Sequence, residues 1–332
     1  MIKQKDFKAF IVEKKDGKYI RSIKTRNINE LPQGDLLIKV YYSSLNYKDA
    51  LSAIGNKGVT KKYPHTPGID AAGVIEKSDN PEFKEGDQVI VTSYDLGMNT
   101  AGGFGQYINV PAEWVIKLPE GLSMKESMIL GTAGLTAGIL VLRLSEKVNP
   151  DQGKIVVSGA TGGVGSLSLA ILAKLGYQVA AITGKEKERD YLLNLGAKEI
   201  ILRHEIDNPE KRPMLSARFA GGIDTVGGPI LDNIVKSTQN MGVVACCGNA
   251  ASPELNLTVF PFILRGISLI GVGTQDHPMP ERTMVWNKLA NEWKPNQLNE
   301  MHQEITLQEL NKYIDLILKG GIRGRTLINM SS

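Results

Sequence analysis

A β-branched run, Ile155-Val156-Val157-Ser158, leads into Ala160-Thr161-Gly162-Gly163-Val164-Gly165 and then into a stretch of helical spacing from Leu167 to Leu175. This order of strand, glycine turn and helix constrains the fold more than any other feature, because it gives the glycines a mechanical role. Gly162 lets the backbone approach a diphosphate, and Gly165 lets helix and strand pack closely. The helix N-terminus offers free N–H groups to phosphate oxygens. Ala160 stands where the usual fingerprint has its first glycine. A plain tight turn has a similar local sequence, but the strand before and the helix after favour a dinucleotide site.

The units that follow repeat the pattern. Gln178–Ile182 reads as a strand, Lys187–Leu195 as a helix and Glu199–Leu202 as a strand. Gly222–Val226, Gly242–Cys246 and Ser268–Val272 add three strand candidates, making six for a doubly wound parallel α/β sheet of Rossmann type. At the end of the second strand, where an acid would hold the ribose diol of NAD, the chain has Thr183-Gly184-Lys185. A carboxylate there would repel a 2′-phosphate, whereas Thr183 and Lys185 donate to it in bonds worth roughly 1.5–3 kcal/mol each. The expected cofactor is therefore NADPH. Arg203, at the end of the third strand, is a second candidate for the 2′-phosphate, with a solvated surface arginine as the alternative.

Residues 7–115 differ in texture, with short alternating segments such as Leu36–Tyr42 punctuated by Gly and Pro, which predicts a mostly β domain ending near Leu122. Near the carboxyl end, Leu307–Lys319 reads as a helix closed by Gly320-Gly321, followed by a short strand, Arg325–Ile328. The 332 residues, 42% hydrophobic and 22% charged, suffice for two cores. A net charge of +4 interleaved with acids makes no basic stripe for nucleic acid. No stretch reads as a membrane span, and Met1-Ile2-Lys3-Gln4-Lys5-Asp6 lacks the apolar core of a leader, so the expected location is cytoplasmic. The two cysteines, Cys246 and Cys247, are adjacent and build no disulfide framework. His65, His204, His277 and His302 show no metal-ligand spacing.

The segments Ser43-Ser44-Leu45-Asn46-Tyr47-Lys48-Asp49-Ala50-Leu51, Pro67-Gly68-Ile69-Asp70-Ala71-Ala72-Gly73, Gly86-Asp87-Gln88-Val89 and Gly324-Arg325-Thr326-Leu327, with the glycine turn, resemble the medium-chain dehydrogenase/reductase superfamily. Within it the chain is most similar to the zinc-independent, quinone-oxidoreductase-like branch and its acrylyl-CoA reductase (YhdH/YhfP-type) family. The resemblance implies a GroES-like, mostly β catalytic domain from residues 1–122 and 298–332, with a Rossmann NADP-binding domain, residues 123–297, inserted between. It also implies a homodimer paired through Ser268–Gly273. Asn46 stands where the zinc-dependent branch has its first cysteine and Ile69 where it has a histidine, so no metal is expected.

Without a metal, hydrogen-bond donors must stabilise the oxygen on which charge develops, which suits conjugate reduction. The resemblance thus implies NADPH-dependent reduction of the carbon–carbon double bond of a short α,β-unsaturated acyl-CoA. NADPH:quinone oxidoreduction is a second reading, and a non-catalytic NADPH-binding protein a third. Tyr47 is the candidate donor beside the nicotinamide, or else a packed aromatic. Asn46 is its neighbour in the same loop, or else a cap of the turn. Arg325 is expected to face the cleft and meet an anion, or else to form a surface salt bridge, and Cys247 to approach the nicotinamide. Lys57, Lys61 and Lys62 form a basic loop that a coenzyme A phosphate could meet, though such runs are usually solvated surface.

Overall fold

The computed structural model describes residues 5–331; Met1–Gln4, part of the segment read as lacking a leader, lie outside them. In chain order, β1 (Asp6–Lys15) and β2 (Lys18–Asn27) form an antiparallel hairpin. Its two-residue turn, Asp16-Gly17, has positive φ at both positions (50° and 75°), the geometry whose twist matches that of the strands. Then come β3 (Leu36–Leu45), α1 (Tyr47–Ala53), β4 (Asp70–Ser78), β5 (Gln88–Thr92), β6 (Tyr107–Val110), β7 (Val115–Lys117) and α2 (Met124–Ser145). The alternating segment continues with β8 (Lys154–Val157), α3 (Gly163–Lys174), β9 (Gln178–Thr183), α4 (Arg189–Asn194), β10 (Ala197–Leu202), β11 (Phe219–Asp224), α5 (Gly228–Lys236), β12 (Thr238–Cys246), α6 (Phe260–Arg265) and β13 (Ser268–Gly271). Last are α7 (Met279–Ala290), β14 (His302–Thr306), α8 (Leu310–Leu318) and β15 (Arg325–Asn329).

The chain forms two compact units. One comprises Met1–Thr132, Thr274–Ala290 and Leu298–Ser332; the other comprises Ala133–Gly273 and Asn291–Gln297. In the first, a seven-stranded sheet runs β14-β15-β3-β4-β5-β7 with β6 also paired to β3, and only the β14–β15 pair is parallel. Its core includes Phe10, Leu36, Ile38, Val89, Phe104 and Ile314, all nearly inaccessible. The carboxyl-terminal strand β15 lies beside β3, pairing Thr326 with Leu45, so the chain's last segment reaches the loop that carries Tyr47.

In the second unit the six-stranded order β10-β9-β8-β11-β12-β13, parallel throughout, is the doubly wound α/β Rossmann arrangement expected. Val156, Ala180, Ile201, Ile230, Ile234 and Val244 lie in its core. Strands buried on both faces read as apolar runs rather than alternating ones, which is why these segments were legible as strands of a parallel sheet.

The expectation about membrane-spanning stretches needs one correction. By length and composition α2 is long and apolar enough to cross a membrane, and 83% of its apolar window is buried inside the protein. Its hydrophobic side chains therefore serve as core. The element is broken at Gly131 (φ 52°, ψ −154°), a conformation open to glycine and closed to residues with a Cβ.

Candidate functional site

In the doubly wound unit, β8 runs into Gly159, whose φ is 57° and whose Cβ, if it had one, would lie 2.3 Å from Thr225 Oγ1. The glycine that the turn needs for its backbone is thus Gly159, and Ala160 replaces nothing: its N–H donates to Ile182 O at 3.1 Å. Gly159 directly follows the last strand residues, a signal present in the sequence and not used. At Gly165 a Cβ would meet Gly159 O at 2.2 Å, so that glycine permits the close packing of helix on turn. Gly162, the N-cap of α3, is different, since a Cβ there would touch only Gly159 O at 3.3 Å. A Cβ at 162 would press only on that one backbone oxygen, so the glycine leaves the outer side of the turn open. The first helical N–H groups, on Gly163, Val164 and Gly165, have no intrahelical acceptor by geometry. Thr161 is buried in the turn, while Gly162, Gly163 and Val164 are partly exposed.

At the carboxyl ends of β9 and β10 lies a cleft of about 420 Å³ whose walls include Thr183, Gly184, Glu186, Arg203, His204 and Asp207. The structure therefore gathers three of the expected 2′-phosphate residues, Thr183, Gly184 and Arg203. Lys185 is not among the residues lining this cleft. Its backbone N–H donates to Thr183 Oγ1 at 2.9 Å, and burial lowers the pKa of its ammonium. Arg203 is half-exposed and its Nε donates to Asp207 Oδ2 at 2.7 Å. Sequence reading missed Asp207 because the ion pair spans one turn beyond the strand end.

Beneath the glycine turn, Asp224 closes β11. Its carboxylate accepts from Ser158 Oγ at 2.6 Å and Gly227 N at 2.8 Å, and Ser158 Oγ accepts in turn from Thr225 N at 2.9 Å. This network ties the ends of β8 and β11 together. Burial raises the pKa of Asp224. Cys247 donates its backbone N–H to Asp224 O at 3.0 Å, and burial, with Asp224 nearby, pushes its thiol up to about 12. A thiol held so firmly protonated is no nucleophile at neutral pH. Cys247 directly follows β12, at the carboxyl end of that strand, and is half-buried.

In the other unit, Asn46 caps α1, and Asp49 reaches back to accept from Asn46 N at 2.8 Å. Tyr47, the first helical residue, is 50% exposed, and among the described residues its hydroxyl has no hydrogen-bond partner. Asn46 turns inward. Its Nδ2 donates to Asp70 Oδ2 (2.8 Å) and Ser44 O (3.3 Å), and its Oδ1 accepts from Arg325 Nη1 at 3.1 Å. Both amide protons are used, an arrangement that fits the alternative reading of Asn46 as a cap of the turn. For Arg325 the expectation is corrected: it neither faces a cleft nor forms a surface salt bridge, being 3% exposed. Its Nε donates to Ile129 O (3.0 Å) and its Nη2 to Ser44 Oγ (2.8 Å), with Asp70 Oδ2 at 3.8 Å.

Asp70 is the hub of this network, and the sequence contains one sign of it, a lone acid inside the apolar run Ile69-Asp70-Ala71-Ala72. Completely buried, it accepts from Ser44 Oγ (2.6 Å), Thr132 Oγ1 (2.6 Å) and Thr132 N (3.0 Å). A Cβ on Gly131 would fall 2.5 Å from Asp70 Oδ2, so the break in α2 makes room for the carboxylate and turns the Thr132 N–H toward it. Asp49, also buried, accepts from Gly68 N and Ile69 N at 3.1 and 2.8 Å. Burial and the neighbouring Asp70 push its carboxyl up to about 7. Among the described residues no group of three or more His, Cys, Asp or Glu side chains is placed to hold a metal ion.

Residues 32–120 match the family model described as the alcohol dehydrogenase GroES-like domain, and residues 163–291 match that described as zinc-binding dehydrogenase. The chain is 40% identical to the acrylyl-CoA reductase AcuI of Ruegeria pomeroyi over 98% of its own length and 100% of the relative's. Among solved structures, it superposes on the yhdH oxidoreductase from Salmonella enterica in complex with NADP with a TM-score of 0.94 and 40% identity, covering 97% of this chain and 99% of that one. For the Bacillus subtilis protein yhfP with NAD bound, the TM-score is 0.95 at 39% identity, with 98% and 99% covered. Identity at this level over nearly the whole length, with both domain models in the expected order, shows that the chain belongs to the medium-chain dehydrogenase/reductase superfamily, in the family of the acrylyl-CoA reductases and the YhdH and YhfP proteins.

Proposed function

We propose that this protein is an NADPH-dependent reductase of the carbon–carbon double bond of a short α,β-unsaturated acyl-CoA. The observation that carries the reading is the full-length likeness to an acrylyl-CoA reductase, at 40% identity. The doubly wound unit fits the cofactor on its own geometry. Gly162 is bare toward the outside, the N–H groups of Gly163, Val164 and Gly165 are free for a diphosphate, and the cleft at Thr183, Gly184 and Arg203 suits a 2′-phosphate. When held there, NADPH would supply the hydride for the substrate's β-carbon, and a proton added at the α-carbon would complete the reduction.

The chain's own part is to stabilise the negative charge that then grows on the thioester oxygen. Tyr47 is the donor we assign, because its side chain is half-exposed and its hydroxyl has no partner among the described residues, whereas the Asn46 amide is fully engaged. The buried Asp70–Arg325–Asn46 network holds the turn from which Tyr47 projects, so that the donor need not reorganise as charge develops. Asn46 and Arg325 are thus positioning residues.

A homodimer and a cytoplasmic location complete the proposal. Val259 (64% exposed), Phe260, Ile263 (67%) and Leu264 form an apolar face on and beside α6, next in sequence to the edge strand β13, and Met241 is 72% exposed. An unpaired edge flanked by such a face suits a second copy of the chain. The two free cysteines agree with a reducing compartment.

The test is NADPH oxidation with acrylyl-CoA, crotonyl-CoA and a benzoquinone in parallel. Fast turnover of an acyl-CoA with slow quinone reduction is the expected result. Preference for the quinone would transfer the function to quinone reduction, and tight NADPH binding without any turnover would make the protein a nucleotide-binding one.

A further inference from the structure

We infer that Asp207 limits the preference of this protein for NADPH over NADH by competing with the 2′-phosphate for the Arg203 guanidinium. The inference rests on the cofactor reading above and deepens it. The charges along the cleft oppose one another: among its lining residues Arg203 is the one permanent cation, set against two carboxylates, Glu186 and Asp207. Asp207 is the nearer rival. Its Oδ2 accepts from Arg203 Nε at 2.7 Å, and its backbone N–H donates to Arg203 O at 2.9 Å, so one short turn holds acid and base in register.

Gly184 completes the arrangement. A Cβ there would come within 3.4 Å of Arg203 Cδ, so the glycine leaves room for the arginine stem to lie along the cleft wall. With Nε committed to Asp207, the two Nη groups remain for a ligand. A 2′-phosphate reaching them gains the attraction of the guanidinium and meets the repulsion of a carboxylate only one hydrogen bond away. Both charges are partly exposed, so solvent screens the two effects alike and they largely offset. A ribose without the phosphate experiences neither. Asp207 thereby narrows the gap between the two nucleotides while the rest of the dinucleotide site serves both.

Charge competition and mere positioning of the arginine predict opposite results. Calorimetric titration of the full-length protein with 2′,5′-ADP and with 5′-AMP, which report the adenosine end without turnover, separates them. Asp207→Asn keeps an oxygen acceptor for Arg203 Nε and removes the charge. Affinity for 2′,5′-ADP is expected to rise about three- to tenfold, as loss of one nearby charge at a screened site implies, with 5′-AMP unchanged. Asp207→Ala should do likewise. If Asp207→Asn matched the wild type and Asp207→Ala bound 2′,5′-ADP more weakly, the carboxylate would be an orienting group and the inference overturned, as it would be by equal changes for both ligands. Failure of the cofactor reading itself is distinct, because the wild-type protein would then not bind 5′-AMP.

Discussion

At the scale of single residues, the site depends on which polar groups are already satisfied. Tyr47 and Asn46 are neighbours in the chain, yet only the tyrosine keeps an unused donor, because Asn46 is closed by Asp70, Ser44 and Arg325. Tyr47→Phe removes the donor and leaves the packing. We expect kcat on the acyl-CoA substrate to fall by about 10²–10³-fold, the usual effect of losing one oxyanion donor, with binding of NADPH unchanged. A variant with full kcat in steady-state assays would remove Tyr47 from the chemistry. The sequence pointed to Tyr47 and Asn46 alike through the segment they share. Hydrogen-bond satisfaction, which needs partners 24 and 279 residues away, separated them.

At the scale of elements, one buried carboxylate organises three segments. Asp70 on β4 holds the break in α2 through Thr132, the loop before α1 through Asn46, and β15 through Ser44 and Arg325. Asp70→Ala would leave a buried guanidinium without its counter-charge, a loss of about 3–5 kcal/mol. Urea unfolding of the purified variant measures it, and a change within error of zero would show the network to be dispensable. Asp49, beside it, makes a separate prediction. Its carboxyl, raised to about 7 when folded from 3.8, binds its proton more tightly in the folded state. The cost of its charge is therefore absent well below pH 3.8, grows as the pH rises from there toward 7 and is constant above that. Relative to Asp49→Asn, the wild type should lose thermal stability across that window. Parallel melting curves for the two proteins from pH 4 to 8 would contradict the raised value.

At the scale of the whole molecule, the exposed apolar face on and beside α6 and the open edge at β13 call for a partner surface, which we assign to a second copy of the chain. Replacing Val259 and Ile263 together by glutamate should shift the mass measured by light scattering from two chains to one, while NADPH binding per chain persists. An unchanged mass would send the dimer contact elsewhere. Much of the chain's organisation was determined by the sequence itself. Apolar β-branched runs such as Ile155–Val157, alternating with helical segments, suit the doubly buried strands of a parallel sheet, and a glycine turn between strand and helix has one common use, so fold class and cofactor site were legible locally. The strand order, the break at Gly131 and the fate of Arg325 were decided by tertiary structure alone. Whether an arginine meets a ligand or a buried aspartate depends on which distant segments fold against it, and a charge 255 residues away along the chain leaves no trace in local pattern.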